Sequence, residues 1–137
     1  MENNIQNLIP YLNFEGNCEE ALNFYKTIFD GRVEIQSRYD NPQMKAPADY
    51  KNKVLHGRLY FGDLVIYASD IFPGKHASKN SGDVQFSLEV TDPGYGKNIF
   101  NQLAEGGKTG VAFEKQFWGQ WHGNLIDKYG IRWMVNC

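Results

Sequence analysis

His56 and Arg58 stand two residues apart in an alternating stretch, Leu55-His56-Gly57-Arg58-Leu59-Tyr60. On a strand, that spacing puts both side chains on one face. A cation beside an imidazole favours the neutral base, so His56 is the first candidate for acid–base work near neutral pH. Its alternative role is structural, as a ring bonded to a backbone carbonyl. Glu89 is the second candidate: a base if buried, an ion-pair partner if an arginine reaches it. Arg58 and Arg132 each suit a bidentate grip on a carboxylate or phosphonate, or else a strand-pair salt bridge. His76 and His122 are too scattered to form a cluster with His56 by spacing, and no Ser-His-Asp or Cys-His arrangement can be read from the chain.

Other segments have simpler readings. Phe117-Trp118-Gly119-Gln120-Trp121-His122 is a dense aromatic patch. Trp118 is a candidate to close one end of a pocket, with its indole N–H as donor, or it packs; Trp121 is assigned to packing. Asp70 and Asp127 read as turn residues next to strands. Gly94-Tyr95-Gly96 lacks the remaining glycine and strand context of a phosphate loop. The basic segment Pro73 to Lys79 reads as a solvated loop.

These residues must be positioned by strands and helices. Ile9 to Phe14 alternates as a strand, with Leu12 and Phe14 on one face. Asn17 with Glu20 resembles a capping box for a helix whose apolar stripe is Cys18, Ala21, Leu22, Tyr25, Ile28 and Phe29. Gly31 sits where a left-handed cap is wanted. Val33 to Tyr39 is a strand, Asp40 to Asn52 a loop, and Lys53 to Phe61 and Leu64 to Ser69 are a hairpin around Gly62-Asp63. After a loop from Ile71 to Gly82 the pattern starts again. Val84 to Thr91 is a strand, and Asp92 caps a helix with Pro93 at its first position. Ile99, Phe100, Leu103 and Ala104 form that helix's stripe. Val111 to Phe117, Trp121 to Asp127 and Ile131 to Asn136 read as strands.

A strand-helix-three-strand unit is thus used twice. A shift of 76 residues superposes Leu12 on Leu88, Phe24 on Phe100 and Gly31 on Gly107, and a shift of 67 brings Leu64-Ile66-Ala68 onto Ile131-Trp133-Val135. The chain reads as one domain, 1–137, with modules at about 5–70 and 83–137. Strand parity puts Tyr11, Asn13, His56, Arg58, Tyr60, Tyr67 and Ser69 on the face away from the first helix. It puts Gln85, Ser87, Glu89 and Arg132 on the corresponding face of the second module. Polar groups opposite a clean apolar face suggest an aromatic-walled pocket for a small organic molecule, or else a solvated or dimer-covered surface.

Composition narrows the partners. The 137 residues carry 14 basic and 16 acidic side chains, a net charge of −2, which argues against nucleic acid and anionic membranes. No apolar run reaches the roughly 20 residues of a membrane span. Met-Glu-Asn-Asn is no secretory leader, and Cys18 and Cys137 lack metal-type spacing, so a reducing cytoplasm is expected.

Six segments resemble the PhnB-like group of the vicinal oxygen chelate superfamily, the glyoxalase/bleomycin-resistance/dioxygenase proteins. They are Pro10 to Asn17, Glu20 to Tyr25, Leu55 to Leu59, Ala68 to Asp70, Phe117 to Gly119 and Asp127 to Trp133. The resemblance implies an α+β fold, two tandem βαβββ modules forming curved mixed sheets around a shared cavity, and a homodimer. Metal-dependent members hold a divalent ion with four ligands from the first and fourth strands of each module. The corresponding positions are Ile9, Tyr67, Gln85 and Met134, with no carboxylate or imidazole among them, so no metal or cofactor is expected. The group is often labelled a 3-demethylubiquinone 3-methyltransferase. The sequence has no glycine-rich strand-to-helix loop for S-adenosylmethionine, so that activity is not expected. The expectation is a metal-independent small-molecule-binding protein. Its alternatives are a glyoxalase- or isomerase-type enzyme and an antibiotic-sequestering resistance protein.

Overall fold

The computed structural model describes residues 3–78 and 84–137. Residues 79–83, which include the end of the basic loop and the expected start of the second module, lie outside the described residues. The chain divides into two units, Met1–Ala77 and Ser78–Cys137.

The first unit runs β1 (Tyr11–Phe14), α1 (Cys18–Phe29), β2 (Arg32–Arg38), β3 (Val54–Phe61) and β4 (Leu64–Asp70). Its open four-stranded sheet has the order β1-β4-β3-β2. β1 lies parallel to β4, while β3 is antiparallel to both of its neighbours. Alternation decides the faces: Leu12, Phe14, Leu59, Ile66 and Ala68 are buried beneath α1, which contributes Cys18, Ala21, Leu22, Tyr25, Ile28 and Phe29. Full burial of a large apolar side chain contributes about 1.5–3 kcal/mol, so this layer dominates the unit's stability. Two short 3-10 turns, Pro42–Met44 and Ala48–Tyr50, occupy the expected loop.

The second unit repeats the order with β5 (Phe86–Glu89), α2 (Pro93–Ala104), β6 (Lys108–Lys115), β7 (Trp121–Ile126) and β8 (Arg132–Asn136). Its sheet order is β5-β8-β7-β6. Asp92 caps α2 through a bond from the Tyr95 N–H, and Pro93 opens the helix. β1 and β5 are shorter than expected, because Ile9, Pro10, Val84 and Gln85 precede the paired residues. β6 begins and ends earlier than its apolar pattern suggested and is exposed along most of its length.

The duplication is visible in the glycines. Gly31 does not take the left-handed cap of α1; Asp30 does, at φ 53°. Gly31 stays side-chain-free for another reason: a Cβ there would lie 2.6 Å from the Tyr60 carbonyl oxygen. At Gly107, 76 residues on, a Cβ would lie 2.3 Å from the Ile126 carbonyl oxygen. Gly57 and Gly123 likewise occupy matching places, opposite Ala68 and Val135. Phe100 is buried, whereas Phe24, 76 residues before it, is half-buried beside the buried Tyr25.

Candidate functional site

On the face of the first sheet away from α1, β1, β3 and β4 bring Tyr11, His56, Arg58, Tyr60 and Tyr67 together. The register sets Tyr11 beside Tyr67 and Tyr67 beside Arg58. Arg58 Nε donates to His56 Nε2 at 3.1 Å, and Nη1 donates to the Tyr60 hydroxyl at 3.3 Å. The guanidinium carbon lies 4.5 Å from the centre of the Tyr67 ring. The His56 ring meets Tyr67 edge-on at 5.0 Å, and its Nδ1 is 3.1 Å from the Tyr11 hydroxyl.

A guanidinium only donates hydrogen bonds. His56 Nε2 is therefore the acceptor, and in the neutral ring Nδ1 carries the proton and donates to Tyr11. The Tyr11 O–H is then directed away from His56, on a side chain that is 48 % exposed. Burial, and after it the Arg58 charge, pushes the His56 pKa below its ordinary 6.5.

Arg58 has no ion pair among the described residues. The acid nearest in register, Glu34, pairs instead with Arg32 and accepts from Gln36 Nε2 at 3.1 Å. The strand-pair salt bridge left open as an alternative for Arg58 is thus not formed. Asn13 and Ser69 sit beside each other at the edge of this face, with their side-chain oxygens 3.5 Å apart.

The corresponding face of the second unit carries a different group. His122 lies 66 residues after His56, at the matching place on β7. The Val111 N–H donates to Asn124 Oδ1 at 3.1 Å, which turns Asn124 Nδ2 toward His122 Nε2 at 3.3 Å. Gly110 makes this approach possible, since a Cβ there would lie 2.3 Å from Asn124 Oδ1. His122 Nδ1 then donates to Asn136 Oδ1 at 2.7 Å, and Asn136 Nδ2 donates to Ser87 Oγ at 2.8 Å. Ser87 donates to Glu89 Oε1 at 2.9 Å, and Asn136 Nδ2 reaches the same oxygen at 3.4 Å.

Glu89 is thus held by Ser87 and Asn136, which corrects the expected arginine partner. Arg132 opens β8 and is half-buried, and Gln85 precedes β5. Trp118 is 53 % exposed in the turn between β6 and β7, with its ring centre 6.4 Å from that of His122. Trp121 stacks on Phe113 at 5.6 Å, as its packing assignment anticipated. His122, Asn124 and Asn136 were missed by sequence reasoning. The signal available was the alternation His122-Gly123-Asn124, which echoes His56-Gly57-Arg58.

Asp70 is another correction. It is 1 % exposed, and its carboxylate accepts from the backbone N–H groups of Gly16, Cys18 and Val54 at 2.9 Å each. It caps α1 in place of Asn17, whose side chain makes no capping bond. Asp127 fulfils its turn role, accepting from the Tyr129 and Ile131 N–H groups, and also holds the buried Trp133 indole at 2.8 Å. A cleft of about 450 Å³ beside the start of α1 is lined by Asn17, Glu19, Glu20, Arg38, Lys53 and Asp70. Its charges have local roles: Arg38 bonds both Glu19 oxygens at 2.8 and 3.0 Å and holds that carboxyl below its usual range, and Lys53 donates to the Gly16 carbonyl at 2.8 Å.

The duplicated βαβββ unit defines a protein of the glyoxalase fold. A glyoxalase/bleomycin resistance protein/dioxygenase family enzyme from Burkholderia phytofirmans shares the fold at a TM-score of 0.60 and 12 % identity, over 92 % of this chain and 94 % of its own. Two solved structures are nearer in sequence. Protein PA1353 from Pseudomonas aeruginosa is 36 % identical, with a TM-score of 0.84, over 97 % of this chain and 98 % of its own. A protein from Bacillus cereus described as a putative 3-demethylubiquinone-9 3-methyltransferase, PhnB protein, is 25 % identical, with a TM-score of 0.81, over 95 % and 98 %. The profile of the 3-demethylubiquinone-9 3-methyltransferase family matches residues 6–136, and the chain belongs to that PhnB-like family.

The methyltransferase wording is a family name. Each sheet here is a four-stranded mixed sheet with one helix, a different plan from an alternating α/β methyltransferase fold. The four positions that the resemblance assigns to metal ligands are Ile9, Tyr67, Gln85 and Met134, of which Gln85 alone is a compatible donor. Ile9 cannot ligate, Met134 is a soft thioether, and the Tyr67 ring packs against His56 and Arg58. This donor set does not fit a hard divalent ion. Among the described residues, no group of three or more His, Cys, Asp or Glu side chains is placed to hold a metal.

Proposed function

We propose that the chain is a small-molecule-binding protein that takes an anionic organic group, a carboxylate or phosphonate, at Arg58 without a metal. One observation carries the reading. Arg58 is oriented by His56, Tyr60 and Tyr67 and has no carboxylate partner among the described residues. A fixed guanidinium loses little entropy on binding and matches the fork of a carboxylate or phosphonate. The outward Tyr11 O–H supplies a further donor, and Tyr67 and Tyr60 supply aromatic wall. In this reading His56 is a positioning residue, since its basic nitrogen faces Arg58. Cytoplasmic location and a homodimer belong to the same proposal; two cysteines without a disulfide agree with a reducing compartment. Light scattering tests the dimer.

Titration with phenylphosphonate, followed by amide and Arg Nε–H NMR shifts, tests the site. The expected result is saturable binding centred on β3 and β4, weakened about tenfold or more by Arg58→Gln. Equal binding by the variant refutes the reading.

A further inference from the structure

We propose that the Arg58 site takes up a proton together with its anion: an anionic organic group binds between Arg58 and His56, and His56 receives the proton at Nε2. The inference rests on the Arg58 reading and adds to it a regulation by pH.

The hydrogen bonds show why the conflict arises at this ring. His56 Nε2 accepts from Arg58 Nε at 3.1 Å, and Nδ1–H donates to the Tyr11 oxygen at 3.1 Å. The one place left for a further proton is the lone pair already bonded to Arg58. A proton there sets Nε2–H against Nε–H, two donors and two positive charges with no acceptor between them. Burial and the Arg58 charge accordingly hold the His56 pKa below its ordinary value.

Among the described residues around the ring, none supplies that acceptor. Tyr11 on β1 and Tyr67 on β4 are neutral at about pH 7, and Arg58 and Tyr60 share β3 with His56. On β2, Ser37 is the register partner of His56. Glu34, in register with Arg58, is paired with Arg32.

A bound anion supplies it. One oxygen between the two side chains accepts from Arg58 and from a protonated Nε2 at once, and its charge offsets their repulsion. The bound protein therefore favours the imidazolium where the free protein favours the neutral ring. Nδ1 keeps its proton and its bond to Tyr11 in both states, so the ring does not have to turn. Arg58 keeps two holders that do not depend on His56, the Tyr60 hydroxyl at 3.3 Å and the Tyr67 ring at 4.5 Å. Linkage sets the sign. The His56 pKa is higher with the anion than without it, so affinity rises as pH falls from the first value to the second, and proton uptake is confined to that window.

The test is isothermal titration calorimetry of the full chain with benzoate, which stays ionised from about pH 5.5 to about pH 8. At about pH 6, in two buffers of different ionisation enthalpy, the heats should report uptake of about half a proton per benzoate. Affinity should rise about fivefold or more from the upper to the lower end of that range. By NMR, the His56 ring signal, assigned with His56→Gln, should titrate at higher pH with benzoate than without it. The His76 and His122 signals should not move. His56→Gln keeps an acceptor for Arg58 but takes no proton in this range, so it should lose both the uptake and the pH slope. Saturable benzoate binding without proton uptake, or uptake that persists in His56→Gln, overturns the coupling and leaves the Arg58 reading standing. No saturable benzoate binding also overturns the coupling, and if phenylphosphonate fails as well, the Arg58 reading falls with it.

Discussion

Replacing Asp70 tests how the first unit holds its strand face in place. Asp70→Ala removes the acceptor of three backbone N–H groups, those of Gly16, Cys18 and Val54. The Cys18 and Val54 bonds are buried, and the Gly16 bond is partly buried. An abandoned buried donor costs about 1–3 kcal/mol, so the expected loss is about 3–5 kcal/mol. Asp70→Asn keeps Oδ1 for Gly16 and Cys18 but can set an NH₂ group against the Val54 N–H, a loss of about 2 kcal/mol. Urea unfolding measures both, and a Tm decrease of about 3–5 °C per kcal/mol is expected for a chain of this size. Amide exchange adds a local readout, with protection at Gly16, Cys18 and Val54 falling most. A loss below about 1 kcal/mol in Asp70→Ala, or identical losses in the two variants, refutes the reasoning.

Gly123→Ala is expected to destabilise by about 1–3 kcal/mol. Its Cβ would meet the Phe113 Cα at 2.7 Å and the Phe100 ring at 2.8 Å, and neither can yield without moving strand or core. Gly57→Ala meets the end of the Leu22 side chain at 3.0 Å and should cost less than about 1 kcal/mol in the same thermal assay. The pH dependence of stability should carry a His56 component. Because its folded pKa lies below 6.5, the unfolded chain takes up the proton first. Stability therefore falls as pH drops below about 6.5, and the loss is complete below the folded pKa. Urea midpoints from about pH 7.5 to 5 should show that component in the wild type and lack it in His56→Gln; an unchanged slope removes His56 as its source.

Much of the fold was legible because its signals are local. The apolar alternation of Leu12 and Phe14 and the stripe from Cys18 to Phe29 come from backbone periods of two and 3.6 residues, and each predicted its buried face. Parity also placed Tyr11, His56, Arg58, Tyr60 and Tyr67 on one face, where the structure joins them. Asp70 was misread as a turn residue because two of its three partners lie 54 and 52 residues away and reach it through the parallel β1–β4 pair. Gly31 was misread because its constraint is the Tyr60 carbonyl on another strand, not its own φ.

The two charged faces show the same division. The sequence alone determined that the unit is used twice and that Arg58 and Glu89 face away from the helices. These follow from residue type and side-chain parity, which need no partner strand. Only the tertiary structure decided what each charge does. Strand register set the Tyr67 ring beside Arg58, and it brought Asn136 between His122 and Ser87 in a chain ending at Glu89. A hydrogen bond depends on ångström distances between separate strands, and a sequence states which residues exist without stating that register.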